Sequence, residues 1–162
     1  MTLASDIRAH DVIAVDTNVC IYFLRASSSR FRAVRDVFQA IANGDVEMRV
    51  PDVVRMELLV RPYRSGQAAE MNEVHALLAR GSRCGLGPSA IDLAARIRAA
   101  TRLRTADALV VGSAAVGGCT AIVGNDAGFR ELNDIIDGGD RIVGGAALPL
   151  PRYIHLDDYV GA

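Results

Sequence analysis

Lysine is absent from this sequence, and all 18 basic residues are arginine. The guanidinium group binds phosphate in a bidentate manner, so one interpretation is a phosphate-binding protein. GC-rich codon usage is an equally good explanation. The net charge of −1 gives no basic excess of the kind that non-specific nucleic-acid binding usually needs. That objection weakens if several of the acids hold divalent metal, because the rest of the chain is then positive.

Cysteine is also scarce. Cys20, Cys84 and Cys119 are odd in number and widely spaced. This pattern excludes both a disulfide framework and a zinc site built from Cys-x-x-Cys pairs. We therefore expect three buried free thiols.

Long hydrophobic runs are missing as well. The longest, at 12–15 and 108–111, are far shorter than the roughly 20 residues of a membrane-spanning helix. The first eleven residues lack the basic and then apolar order of a secretory signal. We expect a cytoplasmic protein that does not associate with membranes.

The composition that remains is globular. Hydrophobic residues make up 51% of the 162 residues and charged residues 23%. This balance argues against disorder, and the length is typical of one domain. We therefore expect a single domain over residues 1–162.

Strands and helices alternate along the chain. Short apolar runs predict strands at 12–16, 46–50, 119–123 and 152–156. Apolar residues spaced by three and four predict helices at 29–43, 51–60, 66–80, 89–97 and 105–116. Pro51 is expected as the first residue of its helix, Ser89 with Asp92 as a capping box, and Thr105 as a cap. The stretch 134–150 is expected to be a long loop.

No hairpin signal joins the predicted strands. Strands that are separated by helices pair in parallel and place helices on both faces of the sheet. The sequence therefore predicts an α/β fold, with a central and mainly parallel sheet between two helical layers.

Two acids follow predicted strands. Asp16 comes after the first strand and Asp126 after the strand at 119–123. Ligands of open α/β sheets gather at the carboxyl ends of the strands, which favours a functional role. The alternative for each residue is a helix N-cap.

Two further acids lie in predicted helices. Glu57 has apolar neighbours in VVRMELLV, and a buried carboxylate needs a cation or hydrogen bonds. An Arg partner is the structural alternative. Asp107 is near the start of an apolar helix, where a first-turn acid interacting with the helix dipole is the alternative. Four such acids together are a stronger indication of function than any one of them.

The chemistry of these acids favours divalent metal. Oxygen ligands without nearby His or Cys suit Mg²⁺ or Mn²⁺. His10, His75 and His155 show no metal-binding spacing. The sequence also lacks a nucleophile elbow, a Walker-type loop and a GxGxxG motif, so metal-assisted hydrolysis is the reaction class that remains.

The four acidic segments resemble the successive motifs of PIN-domain nucleases. They are VDTNV at 15–19, RMELL at 55–59, LRTADAL at 103–109 and VGNDAGF at 123–129. Their order and spacing match over nearly the whole chain. The segments at 88–99 and 155–160 resemble VapC-type toxins of toxin–antitoxin pairs. The resemblance implies a PIN-like three-layer α/β/α sandwich and a metal-dependent endoribonuclease that acts as a toxin. Alternatives are a housekeeping RNA-processing nuclease and an inactive binding module.

The resemblance also implies roles for individual residues. Asp16, Glu57 and Asp107 would bind the first Mg²⁺ or Mn²⁺, and Asp126 would complete the acidic pocket or hold a second ion. Asn18 would orient Asp16 or the attacking water. Arg104 is a candidate phosphate contact, with a solvated surface arginine as the alternative.

The implied partners are RNA, a cognate antitoxin that inserts near the active site, and a second copy of the chain in a homodimer. Tyr22, Phe23 and Phe31 are candidates for the antitoxin groove, although at least one is expected to pack in the core.

One position departs from the family pattern. Gly124 stands where the family usually has Thr or Ser, two residues before the last acid. Asn125 and Thr17 are the candidates to replace that side chain and, with Arg104, to contact substrate.

Overall fold

Five strands and eight helices make up residues 2–26, 29–138 and 149–160, which the computed structural model describes. The strands are β1 Val12–Val15, β2 Glu47–Pro51, β3 Ser82–Cys84, β4 Ala121–Gly124 and β5 Arg152–His155. The helices are α1 Leu3–Ile7, α2 Thr17–Leu24, α3 Phe31–Ala42, α4 Asp52–Ser65, α5 Ala68–Leu78, α6 Pro88–Ala100, α7 Thr105–Val116 and α8 Arg130–Gly138. Two short 3₁₀ helices span Ala127–Phe129 and Leu156–Tyr159.

The strands form one parallel sheet in the order β3-β2-β1-β4-β5. Central β1 pairs with β2 on one side, where Ile13 is opposite Met48, and with β4 on the other, where Val15 is opposite Val123. This pairing confirms the predicted α/β class. It also places the carboxyl ends of β2, β1 and β4 side by side.

The sheet is buried on both faces, as the alternation along β1 shows. Ile13 and Val15 contact one apolar cluster, and Ala14 between them contacts a second. Helices α1 to α5 supply most helical residues of the first cluster, and α6 to α8 supply those of the second. The three layers of the predicted sandwich follow from this division. In the described part of the chain, no helix has the length and hydropathy needed to cross a membrane.

Several predicted boundaries were wrong. Strand β3 was missed because its three residues are too few to show a pattern. Helix α4 begins at Asp52 with Pro51 as its N-cap, and it continues past the predicted end at 60. It ends at Gly66, whose φ of 66° is left-handed and favours glycine.

Two predicted caps and the predicted loop were also wrong. Helix α6 begins at Pro88 after Gly87, without the expected Ser89 capping box, and Thr105 is the first residue of α7 rather than its cap. The beginning of the predicted loop at 134–150 is helical, because α8 extends to Gly138. The part of that loop at 139–148 is outside the described residues.

Candidate active site

Strand order brings the first two acids together. Asp16 directly follows β1, and its N–H donates to the carbonyl of Val123 in β4 at 2.9 Å. Asp126 comes two residues after β4 ends. Both residues therefore lie at the carboxyl edge of the sheet, where the sequence predicts a ligand site.

Asp16 is the most buried of the four acids, with 8% of its surface exposed. It occupies the N-cap position of α2, but its side chain makes no capping hydrogen bond. Burial raises the pKa of its carboxyl from 3.8 to about 6, with further increases from the charges of Glu57, Asp107 and Asp126, while the backbone N–H of Thr17 lowers it. A helix-capping role therefore does not explain why a carboxylate is buried at this position.

Asp107 is half-buried in the first turn of α7. Burial raises the pKa of its carboxyl, and the negative charges of Asp126 and Glu57 add to the rise. The backbone amide and the exposed guanidinium of Arg104 act in the opposite direction. Asp107 thus belongs to the same electrostatic cluster as Asp16 and has one cationic neighbour.

Glu57 differs from the expectation of a buried carboxylate. It is exposed in α4, as are its apolar neighbours Met56 and Val60. The hydroxyl of Thr17 donates a hydrogen bond to Glu57 Oε2. Other apolar neighbours, such as Leu58, are buried in the core, so α4 is amphipathic around Glu57 and its apolar sequence does not enclose the carboxylate.

Asp126 is half-buried and does act as a cap. Its Oδ1 accepts a hydrogen bond from the backbone N–H of Gly128 at 2.8 Å, which caps the 3₁₀ helix after β4. Its own N–H donates to the hydroxyl of Tyr153 at 2.8 Å. The structural alternative for Asp126 is therefore correct, and it coexists with the electrostatic coupling to Asp16 and Asp107.

None of the four acids has an ionic partner in the described part of the chain, where all nine ion pairs involve other carboxylates. Carboxylates in this arrangement repel one another, and a divalent cation would relieve the repulsion. The donor set therefore suits Mg²⁺ or Mn²⁺. However, no group of three or more His, Cys, Asp or Glu side chains among the described residues is already arranged to hold a metal.

The predicted polar site residues Thr17, Asn18 and Asn125 do not share contacts with one another. Thr17 contacts Glu57, whereas Asn18 is exposed and its side chain takes part in none of the side-chain hydrogen bonds within the described ranges. In the amide orientation that satisfies both of its partners, Asn125 accepts from the Tyr22 hydroxyl at 3.1 Å and donates to Asp157 at 2.9 Å.

The three aromatic residues predicted for a groove are half-buried. Phe23 packs on Phe38, with ring centroids 4.1 Å apart, and contacts Phe31 at 6.5 Å. Tyr22 lies under the guanidinium of Arg30 at 5.4 Å. Core packing thus accounts for Phe23, as expected for at least one member of the group.

Tyr153 is the residue that sequence reasoning missed. Its ring occupies the space beside Gly124, where an added Cβ would lie 2.8 and 3.0 Å from two ring carbons. No pattern in the sequence links two residues 29 positions apart, although the pairing of Ile122 with Tyr153 in the sheet explains their proximity.

Replacing Asp16 by Asn is expected to raise the free energy of unfolding at pH 7, in the absence of divalent metal. The unfolded carboxyl ionises near pH 4, whereas the folded one retains its proton to about pH 6. Ionisation therefore costs the folded wild type stability as the pH rises between these values. A difference of two pKa units corresponds to about 3 kcal/mol. We therefore expect the free energy of unfolding to rise by about this amount above pH 6, and we expect the difference to vanish below pH 4.

Urea denaturation in EDTA at pH 7 and pH 4 measures this effect. Asp11→Asn is the matched control, because Asp11 is an exposed aspartate just before the opposite end of β1. A stability gain that is equal at both pH values would contradict the assigned cause.

The model of the PIN domain family matches residues 13–135. No curated protein sequence matches the chain.

Several solved structures share the fold, among them the following three. VapBC2 from Rickettsia felis, bound to a promoter DNA fragment, has a TM-score of 0.64 at 13% identity. The match covers 89% of this chain and 98% of the chain of the solved structure. A toxin–antitoxin complex from Klebsiella pneumoniae has a TM-score of 0.57 at 14% identity, with coverages of 72% and 89%. DNA-bound VapBC from Salmonella typhimurium has a TM-score of 0.56 at 19% identity, with coverages of 89% and 97%.

Proposed function

Because the chain belongs to the PIN domain family, we propose that it is a metal-dependent endoribonuclease and the toxin of a toxin–antitoxin pair. The observation that carries the proposal is the environment of Asp16. This buried carboxyl is coupled to three other acids and has no ion pair among the described residues. Such a cluster destabilises a protein unless a cation compensates it.

In the proposed site Asp16, Glu57 and Asp107 hold one Mg²⁺ or Mn²⁺, and Asp126 completes the pocket or holds a second ion. Bound there, the ion supplies positive charge that lowers the pKa of water and neutralises the phosphate of the substrate. Asp126 has one oxygen occupied by Gly128 and one left for this task.

Three polar residues assist the acids in this proposal. Thr17 holds the Glu57 carboxylate through its hydroxyl and thereby limits the side-chain rotation of an otherwise exposed glutamate. Arg104 is exposed and interacts electrostatically with Asp107, which places a guanidinium next to the acids for a phosphate of RNA. Asn18 is exposed in the first turn of α2, where it can contact water or substrate.

A cavity that Glu57 helps to line supports an antitoxin partner. Its volume is about 210 Å³, and its other charged lining residues are Arg25, Arg61, Glu70 and Glu73. Apolar residues of α2, α4 and α5 line it: Ile21, Leu24, Leu58, Pro62 and Val74. A partner segment with apolar side chains that entered this cavity would lie against an acid of the active site and block it.

Three structures of similar fold, which are VapBC or toxin–antitoxin complexes, further support the toxin role. The exposed apolar stripe of Met56 and Val60 on α4 is a surface that a homodimer or the antitoxin could cover.

Inducible expression in bacteria tests the toxin role. We expect the chain alone to slow growth and to fragment cellular RNA, and we expect the product of an adjacent antitoxin-like gene to relieve both effects. Asp16→Asn is the control and should be harmless at the same soluble level. Normal growth with wild-type protein at that level, combined with RNA cleavage by the purified protein, would favour a housekeeping nuclease.

A further inference from the structure

Contacts to both the ring and the backbone of Tyr153 hold its hydroxyl in place. Tyr153 lies in β5 with 3% of its surface exposed, and its ring stacks on Phe129 with centroids 4.8 Å apart and planes inclined by 16°. The side chain of Asn133 bonds both the N–H and the carbonyl of Tyr153, each at 2.8 Å. Backbone and ring are therefore both fixed, and the hydroxyl has one accessible position.

This position is at the acidic cluster. The hydroxyl accepts the N–H of Asp126 at 2.8 Å, and it occupies the space that a side chain at position 124 would need. Only glycine at 124 allows the tyrosine to reach Asp126. The pairing of Gly124 and Tyr153 thus places a phenol oxygen against the backbone of an acid that is proposed to bind metal.

The hydroxyl of a tyrosine is uncharged at neutral pH. A neutral hydroxyl has two acceptor lone pairs and one proton. It can therefore accept the Asp126 N–H without adding a negative charge to a cluster that already contains four carboxyl groups.

We propose that Tyr153 is a positioning residue of the active site, whose hydroxyl fixes the backbone of Asp126 so that its carboxylate faces Asp16 and Asp107. The proposal rests on the proposed nuclease function for its catalytic consequence. The contact between Tyr153 and Asp126, and its dependence on Gly124, rest on geometry alone.

Tyr153→Phe tests the role, because it removes the hydroxyl and retains the stacked ring. We expect kcat for RNA cleavage to fall about 10- to 100-fold, as when a group that orients a metal ligand is lost. The KM for RNA should not change, since the buried ring cannot contact substrate. Unchanged kcat, or an effect on KM alone, would overturn the proposal.

Tyr159→Phe is the matched control. Like Tyr153→Phe, it removes one tyrosine hydroxyl and its hydrogen bond, in this case a bond donated to the carboxylate of Asp6, which lies outside the acidic cluster. We expect wild-type kcat from this variant. An equal loss of kcat in both variants would indicate a general effect on stability and would overturn the positioning role.

Hydrogen exchange separates this inference from the nuclease function. In metal-free and RNA-free protein, the amide of Asp126 should exchange at least about tenfold faster in Tyr153→Phe than in wild type, because its acceptor is lost. An unchanged rate would overturn the contact. If wild-type protein fails to cleave RNA, both the nuclease proposal and the catalytic role of Tyr153 fail. The exchange rate of the Asp126 amide still decides whether Tyr153 holds Asp126.

Moving the hydroxyl to position 124 is the second test. Gly124→Ser alone should lose activity, because the new side chain collides with Tyr153. Combining it with Tyr153→Leu removes the collision and returns a hydroxyl to nearly the same place. We expect the double variant to be at least about tenfold more active than Tyr153→Leu, with strong non-additivity. Activity no higher than that of Tyr153→Leu, in a double variant that folds by circular dichroism, would overturn the role of the hydroxyl.

Discussion

Asp107→Asn is expected to lower RNA cleavage by at least about 100-fold while leaving the fold intact. The substitution retains the size of the side chain and deletes one charge of the proposed metal site, and loss of several kcal/mol of metal stabilisation corresponds to a factor of this size. The negative charges of Asp126 and Glu57 repel that of Asp107, so removing the charge of Asp107 also reduces repulsion within the cluster. The variant should therefore fold at least as stably as wild type.

Cleavage of bulk RNA with Mg²⁺ or Mn²⁺ measures the loss, and thermal unfolding in EDTA checks the fold. Asp11→Asn, which changes an exposed aspartate at the opposite end of the sheet, is the control and should cleave at the wild-type rate. Retained cleavage by a pure preparation of Asp107→Asn would reject the proposed set of acids.

EDTA is expected to abolish cleavage completely, and the products made with metal should carry 5′-phosphate and 3′-hydroxyl ends. Enzymes that use paired histidines as general bases activate the 2′-hydroxyl of RNA and leave a cyclic phosphate. Here His10 hydrogen-bonds Thr120 at the amino end of the sheet, and the Nδ1 of buried His155 is occupied by the N–H of Asp157. No histidine pair is therefore available at the acids, and water is the expected nucleophile.

A substrate with a single 2′-deoxy nucleotide at the scissile position provides the decisive measurement. It should still be cut, because the 2′-hydroxyl takes no part in the proposed reaction. Without metal the four carboxylates repel the phosphate, which is why EDTA should leave no residual activity. Cyclic phosphate ends, together with cleavage that survives EDTA, would exclude this mechanism for Asp16, Glu57, Asp107 and Asp126.

Local pattern was sufficient to predict the parallel sheet. A β-strand that is buried on both faces must be apolar throughout, and the runs around 12–15 and 121–124 have this property. The acids that follow such strands must then lie at one edge. The proximity of Asp16 and Asp126 is therefore a consequence of chain order and of parallel pairing.

Local pattern failed where exposure depends on packing by distant segments. Apolar neighbours of Glu57 predicted burial, but a helix presents several faces and the sequence does not say which of them is covered. Helix α4 leaves Met56 and Val60 exposed, and Glu57 with them. Strand β3 was missed for a related reason, because three residues acquire strand geometry through pairing with β2 and not through their own preference.

The sequence by itself determined the α/β class and the four acids that are candidates for chemistry, because periodicity and residue type are local properties. Only the tertiary structure decided how those acids are supported. It joins Thr17 to Glu57 across 40 positions and Tyr153 to Asp126 across 27 positions. Such contacts depend on how β4 and β5 pair and on how α2 packs against α4, and no pattern within either segment specifies them.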